Sequence, residues 1–246
     1  MSISNVSVSL SNILQLTSIC YQLHFNKVKK SIYGLSYDMI ILALVSAFTS
    51  MLSTILYSYD SLVRHQYVVR YSQYPEIPIS YTVLILETVI FFAYTVLFRQ
   101  LFTYSKSRNT NQGISHPCTF LLSTFFVILV YLVYMVCTSE PLYVLDIVDF
   151  IWMISKVSSA VKYIPQISMN WFGECVRGLH HHWLLLEGLA VLFMLISRYS
   201  MDVPFWNIPV NYPSWFVIGI QTSCIIILWR QFLIYAENKP RLKYAE

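Results

Sequence analysis

Ile164-Pro165-Gln166-Ile167-Ser168-Met169-Asn170, followed by Gly178-Leu179, has a counterpart 144 residues upstream. The counterpart is Cys20-Tyr21-Gln22-Leu23-His24-Phe25-Asn26, followed by Gly34-Leu35. Gln22 with Gln166, Asn26 with Asn170, Gly34 with Gly178 and Leu35 with Leu179 share that one spacing of 144. Each stretch joins the end of one apolar run to the start of the next. A polar signature repeated in register at two helix ends predicts an internal duplication. The competing reading is a chance match between two amphipathic helix ends.

The apolar runs around these stretches set the fold class. Of the 246 residues, 57% are hydrophobic and 11% charged, where a soluble domain averages about 25% charged. The mean hydropathy of +0.57 excludes a soluble globule, and 16% aromatics exclude disorder. Seven runs stand out, at about 3–23, 35–58, 79–101, 117–138, 144–168, 180–198 and 213–235. Each is close to the roughly 20 residues that a membrane helix needs. Inside a bilayer the backbone bonds must close within each segment, so these are helices. Long unbroken runs without alternation exclude a β-barrel.

The sequence therefore predicts an all-α membrane protein with seven transmembrane helices. Span one matches span five, and an even offset keeps the same orientation. The expected layout is two parallel three-helix repeats joined by a linker helix (3+1+3). Residues 1–102 form the first repeat with a degenerate motif, 103–142 the linker with span four, and 143–236 the second repeat. Residues 237–246 form a cytosolic tail. Parallel repeats about an axis along the membrane normal are a transporter architecture with substrate near the midplane.

Charge sets the orientation. Lys27, Lys29, Lys30, Arg99, Lys106, Arg108, Lys162, Arg177, Arg230, Lys239, Arg241 and Lys243 fall on one side; Arg64, Arg70 and Arg198 fall on the other. This bias places the N-terminus in the lumen and the C-terminus in the cytosol. The sequon Asn5-Val6-Ser7 lies on the outer side, in agreement. The first 26 residues carry no charge and no basic n-region, so they are expected to stay as the first span. A net charge of +4 orients a membrane protein; no nucleic-acid partner is expected. Tyr71, Tyr74, Tyr81, Trp206, Tyr212 and Trp215 cluster near the predicted outer ends, as interface aromatics do.

A few residues stand out for their chemistry. Glu187 lies within Leu184-Leu185-Leu186-Glu187-Gly188-Leu189-Ala190. A carboxylate at that depth is costly, and such residues usually face a cavity on a proton or substrate path. A structural pair with Lys156, or a neutral hydrogen-bonded acid, is the alternative. Pro165 lacks a backbone donor and crowds the preceding turn, which makes a kink beside the Gln166 amide. A hinge and a tolerated helix-end proline both fit. Gln22 is the polar remnant of the first motif. Asp38 suits a helix N-terminus electrostatically and equally a cytosolic gate. Glu87 is a second buried acid. Asp149 and Lys156 are seven residues apart, on one face of span five. Asp146 and Asp149 lie nearer the outer end, where simple hydration is the plain reading.

Other features read as structural. His180, His181 and His182 are consecutive, so they point about 100° apart on a helix and cannot converge on one ion. They read as a solvated helix start. Cys20, Cys118, Cys137, Cys175 and Cys224 show no CxxC pairing and read as small buried hydrophobes. No enzyme motif and no cofactor or metal-ligand motif is present.

The duplicated stretch resembles the PQ-loop family, and more closely its cystinosin-like group. Lys162-Tyr163-Ile164-Pro165-Gln166, with Asn170 after it, is similar to the second PQ motif of that group. Lys29-Lys30-Ser31-Ile32-Tyr33-Gly34-Leu35-Ser36-Tyr37-Asp38 resembles its first-loop stretch, and Glu187 falls where the group carries an aspartate. The resemblance implies that Asn170 and Glu187 line a substrate and proton path, to which Lys162, Pro165, Gln166, Gln22, Asn26 and Asp38 belong. It implies proton-coupled export of cystine, or a related amino acid, from an acidic lysosome- or vacuole-type lumen to the cytosol. Substrate, protons and the bilayer are then the partners, with no cofactor and no enzymatic activity. Tyr21 stands where the first motif has its proline, Trp183 where the group has a polar residue, and span seven opens on Pro213-Ser214-Trp215 without a lysine. The tail Lys243-Tyr244-Ala245-Glu246 carries no clear sorting signal. A non-transporting seven-helix receptor or scaffold of the same fold is the alternative, since a lost proline suits a decayed hinge.

Overall fold

Pro165 interrupts the helix that the sequence leads one to draw through it. In the computed structural model, which describes residues 3–72, 75–109, 112–138, 142–201 and 210–238, span five is two helices. Helix α6 (Val144–Val161) ends before Lys162 and Tyr163, and α7 (Ile164–Gly173) restarts with Pro165 in its first turn. Within one continuous helix the proline ring would strike the carbonyl of Val161 and remove a donor. In a first turn the missing N–H has no partner to lose. The expected kink is thus a break, and α7 runs past residue 168. At the matching position of α1 (Ile3–Lys29) stands Tyr21, and α1 passes through it without interruption.

The remaining described helices are α2 (Tyr37–Tyr59), α3 (Ser61–Arg70), α4 (Tyr81–Thr103), α5 (His116–Thr138), α8 (His181–Tyr199) and α9 (Trp215–Tyr235). Ser36 caps α2 by accepting from the Met39 N–H, and Ser214 caps α9 by accepting from Val217. Helices α2, α4, α5, α8 and α9 are long and apolar enough to cross a membrane. Helix α3 was not expected. Its sequence is too polar for a span, and it forms because Asp60 accepts from the Leu62 and Val63 N–H groups. Lys239, Arg241 and Lys243, with Tyr74 and Trp206, lie outside the described residues.

The burial pattern is that of a protein solvated by lipid. Helix α1 buries Ser4, Ser7, Ser11, Asn12, Ser18, Gln22 and Asn26 and exposes Ile3, Val6, Leu10 and Ile13. Water would favour the reverse. Helix α5 buries only Cys118 and Phe125; 23 apolar residues exposed this way require a hydrocarbon surround. Helix α1 packs along α8 and α2 along α6; α4 lies against both α1 and α2, and α9 against both α6 and α8. The main core fills one end of this bundle, around Ile19, Leu35, Met39, Tyr94, Leu97, Tyr163, Trp183 and Leu184. A smaller cluster holds α3 against α6 through Tyr57, Val63, Tyr67, Leu145 and Val148. Of the cysteines, Cys118, Cys175 and Cys224 are buried, while Cys20 and Cys137 face outward.

Candidate functional site

Two glutamines tie the halves of the molecule together by the same set of bonds. Gln22 Nε2 donates to Asn26 Oδ1 and to the Gly178 carbonyl, both at 2.9 Å, and its Oε1 accepts from the His180 N–H at 3.1 Å. Gln166 Nε2 donates to Asn170 Oδ1 at 2.8 Å and to the Gly34 carbonyl at 2.9 Å, and its Oε1 accepts from the Ser36 N–H at 2.8 Å. Each glutamine lies one turn before its asparagine on one helix face. Each asparagine then donates to a third glutamine, Asn26 to Gln100 at 3.0 Å and Asn170 to Gln231 at 3.1 Å. Gln100 returns a bond to the Leu23 carbonyl and Gln231 to the Ile167 carbonyl. Further along, Ser11 donates to the Ala190 carbonyl and Ser155 to the Ser46 carbonyl, again 144 residues apart. Every polar group of this latch has a partner, and such networks hold one geometry firmly.

Glu187 sits beside the latch on α8, almost fully buried. Ser18 Oγ and Tyr163 Oη each donate to it at 2.5 Å. The Lys162 ammonium interacts with it electrostatically and lies 4.7 Å from the centre of the Tyr163 ring. The α6–α7 break puts Lys162 and Tyr163 there, because residues between two helices are free of the helical register.

Toward the α1 N-terminus the bundle holds a cavity of about 90 Å³, lined among others by Asn12, Gln15, Ser50, Glu87, Lys156 and Lys162. A pocket of about 10 Å³ shares Ala43, Tyr94 and Lys162 with that cavity and reaches Gln22. A polar route therefore runs from the cavity past Lys162 to the latch, which closes it. Glu87 accepts from Ser50 Oγ at 2.6 Å and from Thr54 Oγ1 at 3.3 Å. Lys156 Nζ donates to the Tyr212 carbonyl at 3.2 Å.

No family model matches the chain. An uncharacterized protein of Saccharomyces cerevisiae, YCL002C, is 30% identical over 250 aligned positions, which cover 95% of this chain and 95% of the yeast protein. The cystinosin homolog of Dictyostelium discoideum is 22% identical over 239 positions, 90% of this chain and 80% of that protein. Cystinosin of Drosophila melanogaster is 27% identical over 234 positions, 89% of this chain but 55% of the fly protein. The chain belongs to the cystinosin-like PQ-loop family. It is a transmembrane protein whose second PQ motif, Pro165-Gln166, supplies half of the latch.

Within this cystinosin-like frame the predicted site residues separate into three places. Gln22, Asn26, Gln166 and Asn170 come together in the latch, with Pro165 at the helix break beside it. Lys162 lines both the cavity and the narrow pocket; Glu187 does not line the cavity. Asp38 stands apart. Its Oδ1 accepts from the Ser115 N–H at 3.0 Å and ties the first turn of α2 to the start of α5. Glu187 makes no pair with Lys156. Asp149 does not reach Lys156 either, since Asp146 and Asp149 are both ion-paired to Arg70, at 2.7 and 3.1 Å. His180 caps α8 through Nδ1, which accepts from the His182 N–H at 3.2 Å.

Sequence reasoning missed Gln100, Gln231, Ser18 and Tyr163. A signal for the two glutamines exists. Arg99-Gln100 and Arg230-Gln231 are the same dipeptide near the ends of two apolar runs, 131 residues apart. Ser18 and Tyr163 carry no such mark, because a serine in a serine-rich helix and a tyrosine among 19 are unremarked until Glu187 is placed.

Proposed function

We propose that this chain is a proton-coupled transporter that exports cystine, or a related amino acid, from an acidic lysosome- or vacuole-type lumen to the cytosol. On this reading seven segments span the membrane: α1, α2, α4, α5, the α6–α7 pair, α8 and α9. Residues 1–102 and 143–236 are the two parallel three-helix repeats, 103–142 is the linker, and 237–246 the cytosolic tail. The N-terminus is lumenal. The observation that carries the reading is the duplicated latch, closing a polar cavity at one end with equivalent bonds from both halves.

Alternating access then rocks one repeat against the other. The latch holds the cytosolic side shut while substrate enters from the lumen, and the α6–α7 break is the hinge that lets α7 swing. Glu187 takes the proton on the acidic side. Protonation converts it from a pure acceptor into a donor, so its bonds with Ser18 and Tyr163 must be rearranged. That couples the proton to the break in span five. Asn170, at the other end of α7, passes the rearrangement to Gln231 and α9.

The test is uptake of labelled cystine into proteoliposomes, or into cells with the protein redirected to the plasma membrane, at acidic and at neutral outer pH. Acid-stimulated uptake in the parent and pH-independent or absent uptake in Glu187→Gln is the expected result. Unchanged pH dependence in Glu187→Gln overturns the assigned role. A second reading, a non-transporting receptor or scaffold, is favoured by one observation: α1 runs unbroken through Tyr21, so one half lacks a hinge. Absence of uptake across cystine, cationic amino acids and neutral amino acids, with the protein folded and displayed, selects it.

A further inference from the structure

The latch and the charged groups differ in symmetry. The latch residues recur in both halves, but Glu87 and Lys156 do not. At the spacings that relate the latch residues, 131 for the third helices and 144 for the first, Glu87 matches Ile218 and Lys156 matches Asn12. A full charge on the cavity wall is costly to place and is absent from the matching position. Its presence in one half only calls for a local reason.

Both groups line the same cavity without forming a salt bridge within 4 Å of each other. Among the described residues, the only salt bridges are those of Arg70. Glu87 is oriented by hydroxyls from α2, and both of its oxygens accept, as a carboxylate's do. Lys156 has three N–H donors and spends one on the Tyr212 carbonyl. Two fixed, opposite and unneutralised charges therefore face each other across an enclosed polar space. That space has room for several waters, or for the head group of an α-amino acid.

We propose that Glu87 and Lys156 form a binding site for a single zwitterionic head group, with the substrate ammonium on Glu87 and its carboxylate on Lys156. This rests on the transporter reading above and deepens it. A charge-assisted contact at each end fixes the orientation of the substrate. The rest of the molecule then faces Asn12 and Gln15, which line the same cavity and offer neutral amides. The wall that would serve a second, identically charged head carries Asn12 and Ile218 where a lysine and a glutamate would be needed. The site thus takes one zwitterionic end by charge and reads the other end by neutral polar contacts.

The experiment is thermal unfolding of the purified full chain in detergent with millimolar L-cystine, L-glutamine, L-glutamine methyl ester or N-acetyl-L-glutamine. Stabilisation by at least one free amino acid is expected. The ester loses the carboxylate and the N-acetyl derivative the ammonium, so both are expected to lose at least tenfold in apparent affinity relative to glutamine. Glu87→Gln and Lys156→Met are expected to abolish the shift, and Glu87→Asp and Lys156→Arg to retain part of it. Equal stabilisation by the free and the blocked amino acids overturns the site without use of any variant. An unchanged shift in correctly folded Glu87→Gln and Lys156→Met overturns it while leaving the transporter reading intact. No shift with any of the four compounds, joined to absent uptake of amino acids, overturns both.

Discussion

Gly34 and Gly178 cross with their backbones in direct contact. A Cβ built on Gly178 would lie 1.9 Å from the carbonyl carbon and oxygen of Gly34, and one built on Gly34 would lie 2.9 Å from the Gly178 nitrogen. Gly34 also sits at φ +80, where an L side chain is strained. Each carbonyl at this crossing accepts from the glutamine of the opposite half. The contact thus sets the spacing at which the two latch glutamines can reach across.

Alanine at this crossing has nowhere to go, because the obstacle is backbone and not a flexible side chain. Gly178→Ala is expected to destabilise the fold by ~3 kcal/mol or more. Two glycines serve as controls. Gly188→Ala meets only Ile225 Cγ2 at 3.6 Å, and Gly219→Ala meets nothing within 4 Å. Both are in helices, so alanine there is expected to be neutral or to stabilise by up to about 1 kcal/mol. Fluorescence-detected size exclusion after a heating series checks the ranking, and equal behaviour of Gly178→Ala and Gly219→Ala would refute the crossing.

Gln22→Ala and Gln166→Ala each strand a buried N–H and a buried carbonyl across the interface, at about 1–3 kcal/mol per group. Because those bonds belong to the closed latch, their loss shifts the population toward a state open at that end. A cysteine at Leu179, buried here next to the crossing, reports it in a background where the five native cysteines are replaced. Labelling by a membrane-impermeant maleimide is expected to rise in both variants. Labelling as slow as in the parent would show that the latch does not control access.

The latch was largely legible in the sequence because its residues keep a constant spacing and sit at helix ends, where a polar residue is noticed. Its outer members, Gln100 and Gln231, follow a different spacing, set by the third helix of each half, so one register could not reveal them. The position of Glu187 was legible from its apolar flanks. Its partners were not, since Ser18 and Tyr163 meet it only through the α1–α8 packing and the α6–α7 break. Pro165 announced a bend. Whether a proline kinks a helix or ends it depends on whether neighbouring groups satisfy the freed carbonyls, which is a tertiary matter. The pairing of charges failed for the same reason. Helical spacing placed Asp149 with Lys156, but Arg70 on the unexpected α3 captures both aspartates.

That capture has a modest energetic weight. The Arg70 side chain is 33% exposed, and those of Asp146 and Asp149 are 22% and 21% exposed. Solvent screening therefore discounts the pairs, and Arg70→Met is expected to cost about 1 kcal/mol or less. The cost should shrink as salt is raised from low to physiological strength and above. Chemical unfolding in detergent at two ionic strengths checks both. A large, salt-insensitive loss would mean that α3 is held by a buried charge network instead.

His180 gives the protein a pH-sensitive helix cap. Its Nδ1 accepts from the His182 N–H, so a proton on Nδ1 removes the acceptor. Burial holds its pKa below the ordinary 6.5, and the neighbouring His181, His182, Lys29 and His24 push it the same way. The unfolded chain therefore binds a proton near pH 6.5 that the folded chain refuses. The stability contributed by the neutral cap is present above that pH and is lost as pH falls below it, toward the lowered folded value. In α2 the matching cap is Ser36, whose hydroxyl accepts from the Met39 N–H at 3.3 Å and does not titrate in this range. His180→Ser is therefore expected to cap α8 equally well at neutral and acid pH. Melting temperatures of the parent and His180→Ser should nearly coincide at neutral pH and diverge in acid, with the parent lower. The His180 N–H also holds Gln22 Oε1, so the same divergence is expected in maleimide labelling at the latch. Parallel melting curves across this range would show that the imidazole does not act as the cap.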